Sequence, residues 1–340
     1  MPLTIWVGEG KSNLGGEPML KRISVLMVLS FMVFGYTSVP FAQTYPDRPI
    51  TLVLPMAPGD GIDVVGRAMG DELSKLLKVS IVPLNKPGAA ATAGTDFVVK
   101  SKNDGYTILL TNNASVISAR ILQPENVPYD PFRDLTPLAL VTQVPALIAV
   151  RSDAPYKNFK EMADYAKKNP GKIRCSTMGV GSVGHFDVEI VNMLAGTDIP
   201  MVPFKGAVPS VTAALGGHVE AVGSAIGPLI PHMRSKALRS VITSIKISEF
   251  GDVPTLKELG YQQELLGIWF AFFAPANIPP EVKAMLVSAI EKVAKDPSVA
   301  AKLGNLGMVQ DFEPPDKLTE RMKAEYKLVE QIAKKTGMVK

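Results

Sequence analysis

Three segments of this chain place glycines or small polar residues where an apolar run hands over to a helical pattern. Such a turn presents unpaired backbone N–H groups and the positive end of a helix dipole, and together these attract anions. The first is Pro55-Met56-Ala57-Pro58-Gly59-Asp60-Gly61-Ile62-Asp63. Its glycines permit positive φ and close backbone approach, and Asp63 is placed to cap the next helix. The second is Thr111-Asn112-Asn113-Ala114-Ser115, whose side-chain amides can donate to a carboxylate, although Asn is equally an ordinary turn residue. The third, Gly179-Val180-Gly181-Ser182-Val183-Gly184, reads literally as G-x-G-x-x-G. Asp198 lies near the spacing of a ribose-binding acid. It precedes the next strand instead of ending one, however, and the motif lies mid-chain, so the turn reads better as a cradle for a carboxylate.

Other chemistries find little support. His185, His218 and His232 have no metal-ligand spacing to one another or to Cys175, the single cysteine. Ser182 lacks the first glycine of a nucleophile elbow. His185 is expected to pack against or cap its own helix. Trp269 and Phe270 offer either an apolar wall for a cleft or core packing, and Lys205 either a cation or a solvated loop residue. No pair of carboxylates suggests acid–base work. The reading is therefore a binding protein with no catalytic residue, no metal and no cofactor.

These turns need a scaffold, and the pattern supplies one. Apolar runs at Ile50–Pro55, Ser80–Leu84 and Tyr106–Leu110 alternate with helical spacing over Asp63–Leu77 and Thr92–Lys100, which predicts a βαβαβ unit with a parallel sheet. A second series comes after it: a helix over Phe159–Lys168, then strands at Lys172–Thr177, Met201–Phe204, Val219–Ser224 and Leu238–Thr243, with helices near 184–195, 209–215 and 227–235. Apolar strands near 141–150 and 265–274 are the expected crossings, and 280–295 and 316–335 read as amphipathic helices. The domain reading is residues 43–144 and 270–340 for one lobe and 145–269 for a second lobe inserted within it.

The 340 residues carry 36 Lys plus Arg against 32 Asp plus Glu, a balance too even to suggest nucleic acid. Lys21 and Arg22 precede an apolar run from Ile23 to Tyr36, and small residues continue to Ala42. This describes a secretory signal peptide behind a short extension, residues 1–42. No cysteine comes after the run to accept a lipid, so the expectation is an exported protein without a lipid anchor, and a monomer. Cys175 is expected to be a buried core residue.

The mature chain resembles the solute-binding proteins of tripartite tricarboxylate transporters, the Bug receptors. The resemblance rests on an ordered set: Tyr45-Pro46-Asp47-Arg48-Pro49-Ile50, the Pro55–Asp63 loop, Asn85-Lys86-Pro87-Gly88-Ala89, Asp104-Gly105-Tyr106-Thr107, Gly179–His185, Val202-Pro203-Phe204-Lys205-Gly206, Pro231-His232-Met233-Arg234, Gly251-Asp252-Val253-Pro254-Thr255 and Ala274-Pro275-Ala276. It implies an α/β, two-lobed periplasmic binding protein fold (type II-like) with the ligand cleft between lobes. A small mono- or dicarboxylate would be delivered to membrane permease subunits. Carried over residue by residue, the ligand contacts would be Met56, Ala57, Pro58, Gly59 and Asp60; Asn112, Asn113, Ala114 and Ser115; and Thr177, Gly181, Ser182, Val183 and Ser224, with Trp269 as a wall. Asp60 stands where the family pattern has glycine. It either turns away from the ligand or implies a ligand that is not a plain dicarboxylate. Ser224 stands where many members have aspartate. The competing readings are an exported nucleotide-dependent oxidoreductase using Gly179–Gly184 and a ligand sensor for a two-component system.

Overall fold

A computed structural model describes Gly8, Gly10 and residues 45–339. The chain divides into two units, Met1–Tyr45 and Pro46–Lys340. The expected signal segment lies outside the described residues. The second unit holds all the regular secondary structure described.

In that unit the short apolar runs become strands: β1 (Ile50–Leu54), β2 (Ile81–Asn85), β3 (Thr107–Asn112), β4 (Leu135–Val144), β5 (Ala146–Arg151), β6 (Cys175–Thr177), β7 (Met201–Pro203), β8 (Ala221–Ala225), β9 (Leu238–Thr243), β10 (Ile268–Pro275) and β11 (Val309–Glu313). The longer helical patterns become α1 (Gly61–Leu77), α2 (Thr92–Val99), α3 (Phe159–Lys168), α4 (Val183–Ala195), α5 (Ala207–Leu215), α6 (Pro280–Ala294), α7 (Pro297–Gly304) and α8 (Pro315–Lys335). Two sheets result, a six-stranded one in the order β11-β4-β10-β3-β1-β2 and a five-stranded one in the order β7-β6-β8-β5-β9. β1 pairs in parallel with β2 and β3, as the βαβαβ pattern predicts. β10 then runs antiparallel between β3 and β4, so the sheet is mixed. The architecture is α/β with two sheets.

The apolar stretch expected as one strand near 141–150 is two strands. It breaks at Pro145, which has no N–H to give a ladder: β4 ends at Val144 in the six-stranded sheet and β5 starts at Ala146 in the other. The chain passes beside this point again at Ser244, whose N–H donates to the Ala146 carbonyl (2.8 Å). It passes a third time at Gly267, where an added Cβ would lie 3.2 Å from Ser244 Oγ and 3.4 Å from the Val144 carbonyl oxygen. The crossings between the sheets thus run side by side.

Two elements carry no clear sequence signal. All five residues of β11 are only half-buried, so no apolar alternation marks it, and the eight-residue α7 is short. The long α8 buries Leu318, Met322, Glu325, Val329 and Ile332 on one face and packs on β4 and on α4. One helix thus touches both sheets' layers.

Candidate functional site

The turn after β1 corrects one expectation. Asp60, not Asp63, is the N-cap of α1: its backbone is extended (φ −70°, ψ 161°) and its carboxylate accepts the Ile62 N–H at 3.1 Å. Gly59, with φ +85°, turns the chain so that the helix starts two residues earlier than its apolar periodicity suggests. Asp63 then falls in the first turn, buried beneath the loop. Its carboxylate takes the Gly59 N–H (2.8 Å), Arg67 Nε (2.9 Å) and Asn85 Nδ2 (2.9 Å). Burial works against its charge, but the bonds from Arg67, Gly59 and Asn85 outweigh it and hold the carboxyl down at about 2. Ala57, Pro58 and Gly59 are exposed and Met56 and Asp60 half-buried.

The turn after β6 uses each of its glycines for a separate purpose. Gly179 (φ +126°) and Gly181 (φ +77°) occupy backbone that other residues rarely adopt. Gly184 sits where a Cβ would lie 2.1 Å from the Gly223 carbonyl oxygen, so α4 lies directly on β8. This is the close helix–strand approach that the last glycine of such a motif allows. Ser182 caps α4 by accepting the His185 N–H (3.4 Å) and donates to the Gly179 carbonyl (2.7 Å). His185 is buried, and its Nδ1 accepts the Gly181 N–H at 3.1 Å. Its role is to hold the loop, and burial lowers its pKa. The N–H groups of Val183 and Gly184 belong to the first turn of a 13-residue helix and have no intrahelical acceptor.

The turn after β3 lies opposite. Residues Ala114–Ser118 form a π-helical turn, a distortion that recurs at functional sites. Ser115 is buried and shares a 2.6 Å hydrogen bond with Thr111, and Ala114 is exposed. Asn113 Nδ2 donates to the Gly267 carbonyl (2.9 Å) and to Glu325 Oε1 (2.7 Å). A cavity of about 200 Å³ joins the two turns: Asn112, Asn113 and Ala114 line one side, and Gly181, Ser182 and Val183 the other. An added Cβ on Gly181 would lie 2.8 Å from Leu122 Cδ1, so the β6–α4 loop already touches the segment beyond the β3 turn.

Six of the fifteen predicted residues therefore meet around one cavity. Ser115, Thr177 and Ser224 are fully buried and do not line it. Thr177 Oγ1 accepts the Gly179 N–H (3.3 Å), and Ser224 Oγ has no partner. Met56–Asp60 do not line it either, although β1 and β3 are parallel neighbours and their turns leave the same edge of the sheet. Trp269 is in the core, 1% exposed, with its indole Nε1 donating to Glu325 Oε2 at 2.7 Å. The neighbouring Ile268 lines the cavity in its place. Phe270 packs under the start of α1, within 3.4 Å of a Cβ added to Gly61.

Two buried acids escaped the sequence reading, Glu325 at this cavity and Asp187 behind its lining. Glu325 lines it and is buried, with Asn113 and Trp269 as its neutral donors. Asp187 lies on α4 between cavity-lining Phe186 and the core. It is fully buried, with Oδ1 accepting the Leu266 N–H (2.7 Å) and Oδ2 unpartnered. Burial pushes both carboxyl groups up, Asp187 well above the usual range. A signal for both was present: each is a charged residue at an apolar-face position of its helix.

Cys175 is buried and free. Among the described residues no three His, Cys, Asp or Glu side chains gather to hold a metal, and no helix is long and apolar enough to cross a membrane. A larger cavity of about 610 Å³ lies between Ile226–Arg234 and Gly304–Val309. Its arginine, Arg234, is already held by Glu249 at 2.7 and 2.8 Å, so it presents no free anchor.

Comparison with known proteins agrees with this geometry. Residues 65–338 match the tripartite tricarboxylate transporter family receptor TctC. Protein BugT of Bordetella pertussis is 29% identical over 299 residues, which span 87% of this chain and 92% of that protein. A TctC solute-binding protein from Polaromonas has a structure similar to this one at a TM-score of 0.79, with 28% identity over 86% of this chain and all of that one. MatC from Rhodopseudomonas palustris, solved with bound malate, gives a TM-score of 0.62 and 28% identity over 85% of this chain and 99% of that one.

Proposed function

Because the chain belongs to the tripartite tricarboxylate transporter receptor family, we propose that its solute is a small organic carboxylate held between the two sheets at the start of α4. The family is a periplasmic solute-binding receptor rather than an enzyme, so the G-x-G-x-x-G turn is a ligand cradle and not a nucleotide site. The observation that carries the reading is the cavity between the β3 and β6 turns. On one wall lies Val183, whose backbone N–H in the first turn of α4 carries a partial positive charge that suits a carboxylate. Ser182 does not compete for it, since its hydroxyl is engaged with Gly179 and His185.

In this reading Asn112, Asn113 and Ala114 close over the ligand from the six-stranded sheet, and Met56–Asp60 approach from the adjoining turn. Thr177, Ser115 and Ser224 support the loops from behind, and Trp269 does so through Glu325. Asp60 directs its charge to the Ile62 N–H, which removes the conflict between that residue and an anionic ligand. The side-by-side crossings at Pro145, Ser244 and Gly267 act as the hinge. Ligand contacts made only in the closed arrangement bias the equilibrium toward it. The loaded receptor then hands its solute to membrane permease subunits. MatC was solved with malate, which supports a ligand of this size and charge.

A thermal-shift screen of C4–C9 dicarboxylates, aromatic acids and amino acids tests the proposal. At least one is expected to stabilise the protein, by about 2.7 kcal/mol when present at a hundredfold excess over Kd. Silence across the whole panel refutes it.

A further inference from the structure

We propose that the solute's carboxylate seats against Glu325 with one proton shared between the two carboxyl groups, so that loading the receptor takes up a proton. This rests on the receptor reading and assigns Glu325 as a further ligand-binding residue.

The cavity between the β3 and β6 turns is lined by Val183, with its first-turn N–H, on the α4 side and by Glu325 on the α8 side. A sphere of its volume, about 200 Å³, is about 7 Å across, so an anion held there is a close neighbour of the Glu325 carboxyl group. Glu325 is only 7% exposed. Its two oxygens take one neutral donor each, Asn113 Nδ2 and Trp269 Nε1, both at 2.7 Å. Each oxygen keeps a second lone pair, so the group can take a proton without giving up either bond. Both amide hydrogens of Asn113 are spent, on Gly267 and Glu325, which leaves that amide no donor for an anion.

Among the described residues no cation forms an ion pair with Glu325. Arg321, whose charge reaches it through space, is bound by Glu313 of β11 at 2.8 and 3.0 Å. On β11, Asp311 accepts from Gln143. α8 also packs on β4, the β3 turn, residues 119–122 and α4. β4 and the β3 turn contain no charged residue, and Arg120 donates to the Val127 carbonyl at 3.1 Å. On α4, Asp187 is a second buried acid, and Glu189 interacts with Lys335 and Asp198. His185, also on α4, accepts the Gly181 N–H through Nδ1 at 3.1 Å, a bond that protonation would break.

Two carboxylates that share one water-poor site do not both stay ionised, and the pair holds a proton between them. Burial already raises the proton affinity of Glu325. A proton from solvent then lies between Glu325 and a solute oxygen as an O–H···O⁻ bond, which is stronger than a neutral one. The anion raises the proton affinity of Glu325 further. Binding therefore weakens as pH rises above the pKa of the unloaded site, by about tenfold per pH unit for one proton.

Isothermal titration calorimetry on the purified full chain tests this. The probes are the C4–C9 dicarboxylates, aromatic acids and amino acids of the thermal-shift panel, between about pH 6.5 and 8.5, where their carboxyl groups are fully ionised. For the tightest binder, Kd is expected to rise about tenfold per pH unit, and titrations in two buffers of different ionisation enthalpy are expected to show uptake of about one proton per solute bound. Glu325→Gln puts an amide N–H in place of the O–H. It is expected to bind the same acid with a Kd constant within about twofold over that range, and without proton uptake. Asp187→Asn is expected to keep the wild-type slope and uptake, and it serves if Glu325→Gln does not fold. A wild-type Kd independent of pH, without proton uptake, overturns the inference and leaves the receptor reading standing. So does an unchanged slope in Glu325→Gln, or its loss in Asp187→Asn. Absence of binding by every probe refutes the receptor reading itself.

Discussion

Gly184 offers a prediction in which two well-understood effects have opposite signs. Replacing it with alanine removes the entropic handicap of glycine inside a helix, which by propensity alone stabilises by about 1 kcal/mol. Against this, the new Cβ lies 2.1 Å from the Gly223 carbonyl oxygen and 2.6 Å from its carbon, where ordinary contact begins at 3.4 Å. The shortfall of about 1.3 Å is between two backbones, so no rotamer change relieves it, and α4 must move away from β8. Overpacking costs about 1–3 kcal/mol, and this contact belongs at the upper end. The net expectation for Gly184→Ala is a loss of about 2 kcal/mol. Urea denaturation reads it as a lower midpoint at unchanged m-value. The comparison is Gly70→Ala in α1, where the new Cβ meets Ile81 at 3.5 Å, an ordinary contact; that variant is expected to gain about 0.5–1 kcal/mol. Because α4 carries the Val183 and Gly184 N–H groups, Gly184→Ala is also expected to weaken binding of whichever acid the thermal-shift screen identifies. Wild-type or higher stability in Gly184→Ala refutes the claim that helix and strand meet backbone to backbone here.

The site's neighbours give two further expected outcomes. Asp63 has a folded pKa of about 2, below its unfolded value, so it contributes stability that is present above about pH 4 and is lost as pH falls toward 2. Asp63→Asn is therefore expected to cost about 2 kcal/mol at neutral pH and much less near pH 2, read by urea titrations at both pH values; an equal cost at both contradicts it. Trp269 is hydrogen-bonded to Glu325 beside the cavity, so in a Trp6→Phe background its fluorescence is expected to change with the same acid that stabilises the protein, and an invariant spectrum separates Glu325 from the ligand.

Most of the secondary structure was legible because its causes are local. Phe159–Lys168 begins at Asn158, which caps the Glu161 N–H, and ends before a proline–glycine pair. Leu238–Thr243 is a strand rich in apolar and β-branched residues, with the extent expected. The β6–α4 turn was visible for the same reason: only glycine tolerates the backbone at Gly179 and Gly181, so the sequence displays the requirement. The N-cap of α1 was misplaced because Asp60 and Asp63 are both chemically suitable caps. The choice between them depends on Asn85 and Arg67 reaching Asp63 once the turn has folded.

Read alone, the sequence determined the α/β alternation, the three anion-suited turns and the family resemblance, since each depends on residues close together in the chain. Tertiary structure decided which turns face one another. It split the stretch at Pro145 between two sheets, set Trp269 in the core, and brought Met56–Asp60 to the sheet edge rather than to the cavity wall. It also decided how the cavity between the β3 and β6 turns is lined. Asn113 and Glu325 are 212 residues apart, and nothing in the chain near either one indicates the other. The apolar periodicity of α8 makes Glu325 conspicuous, but only the packing of that helix against the β3 turn and α4 brings the charge to the lining of the cavity.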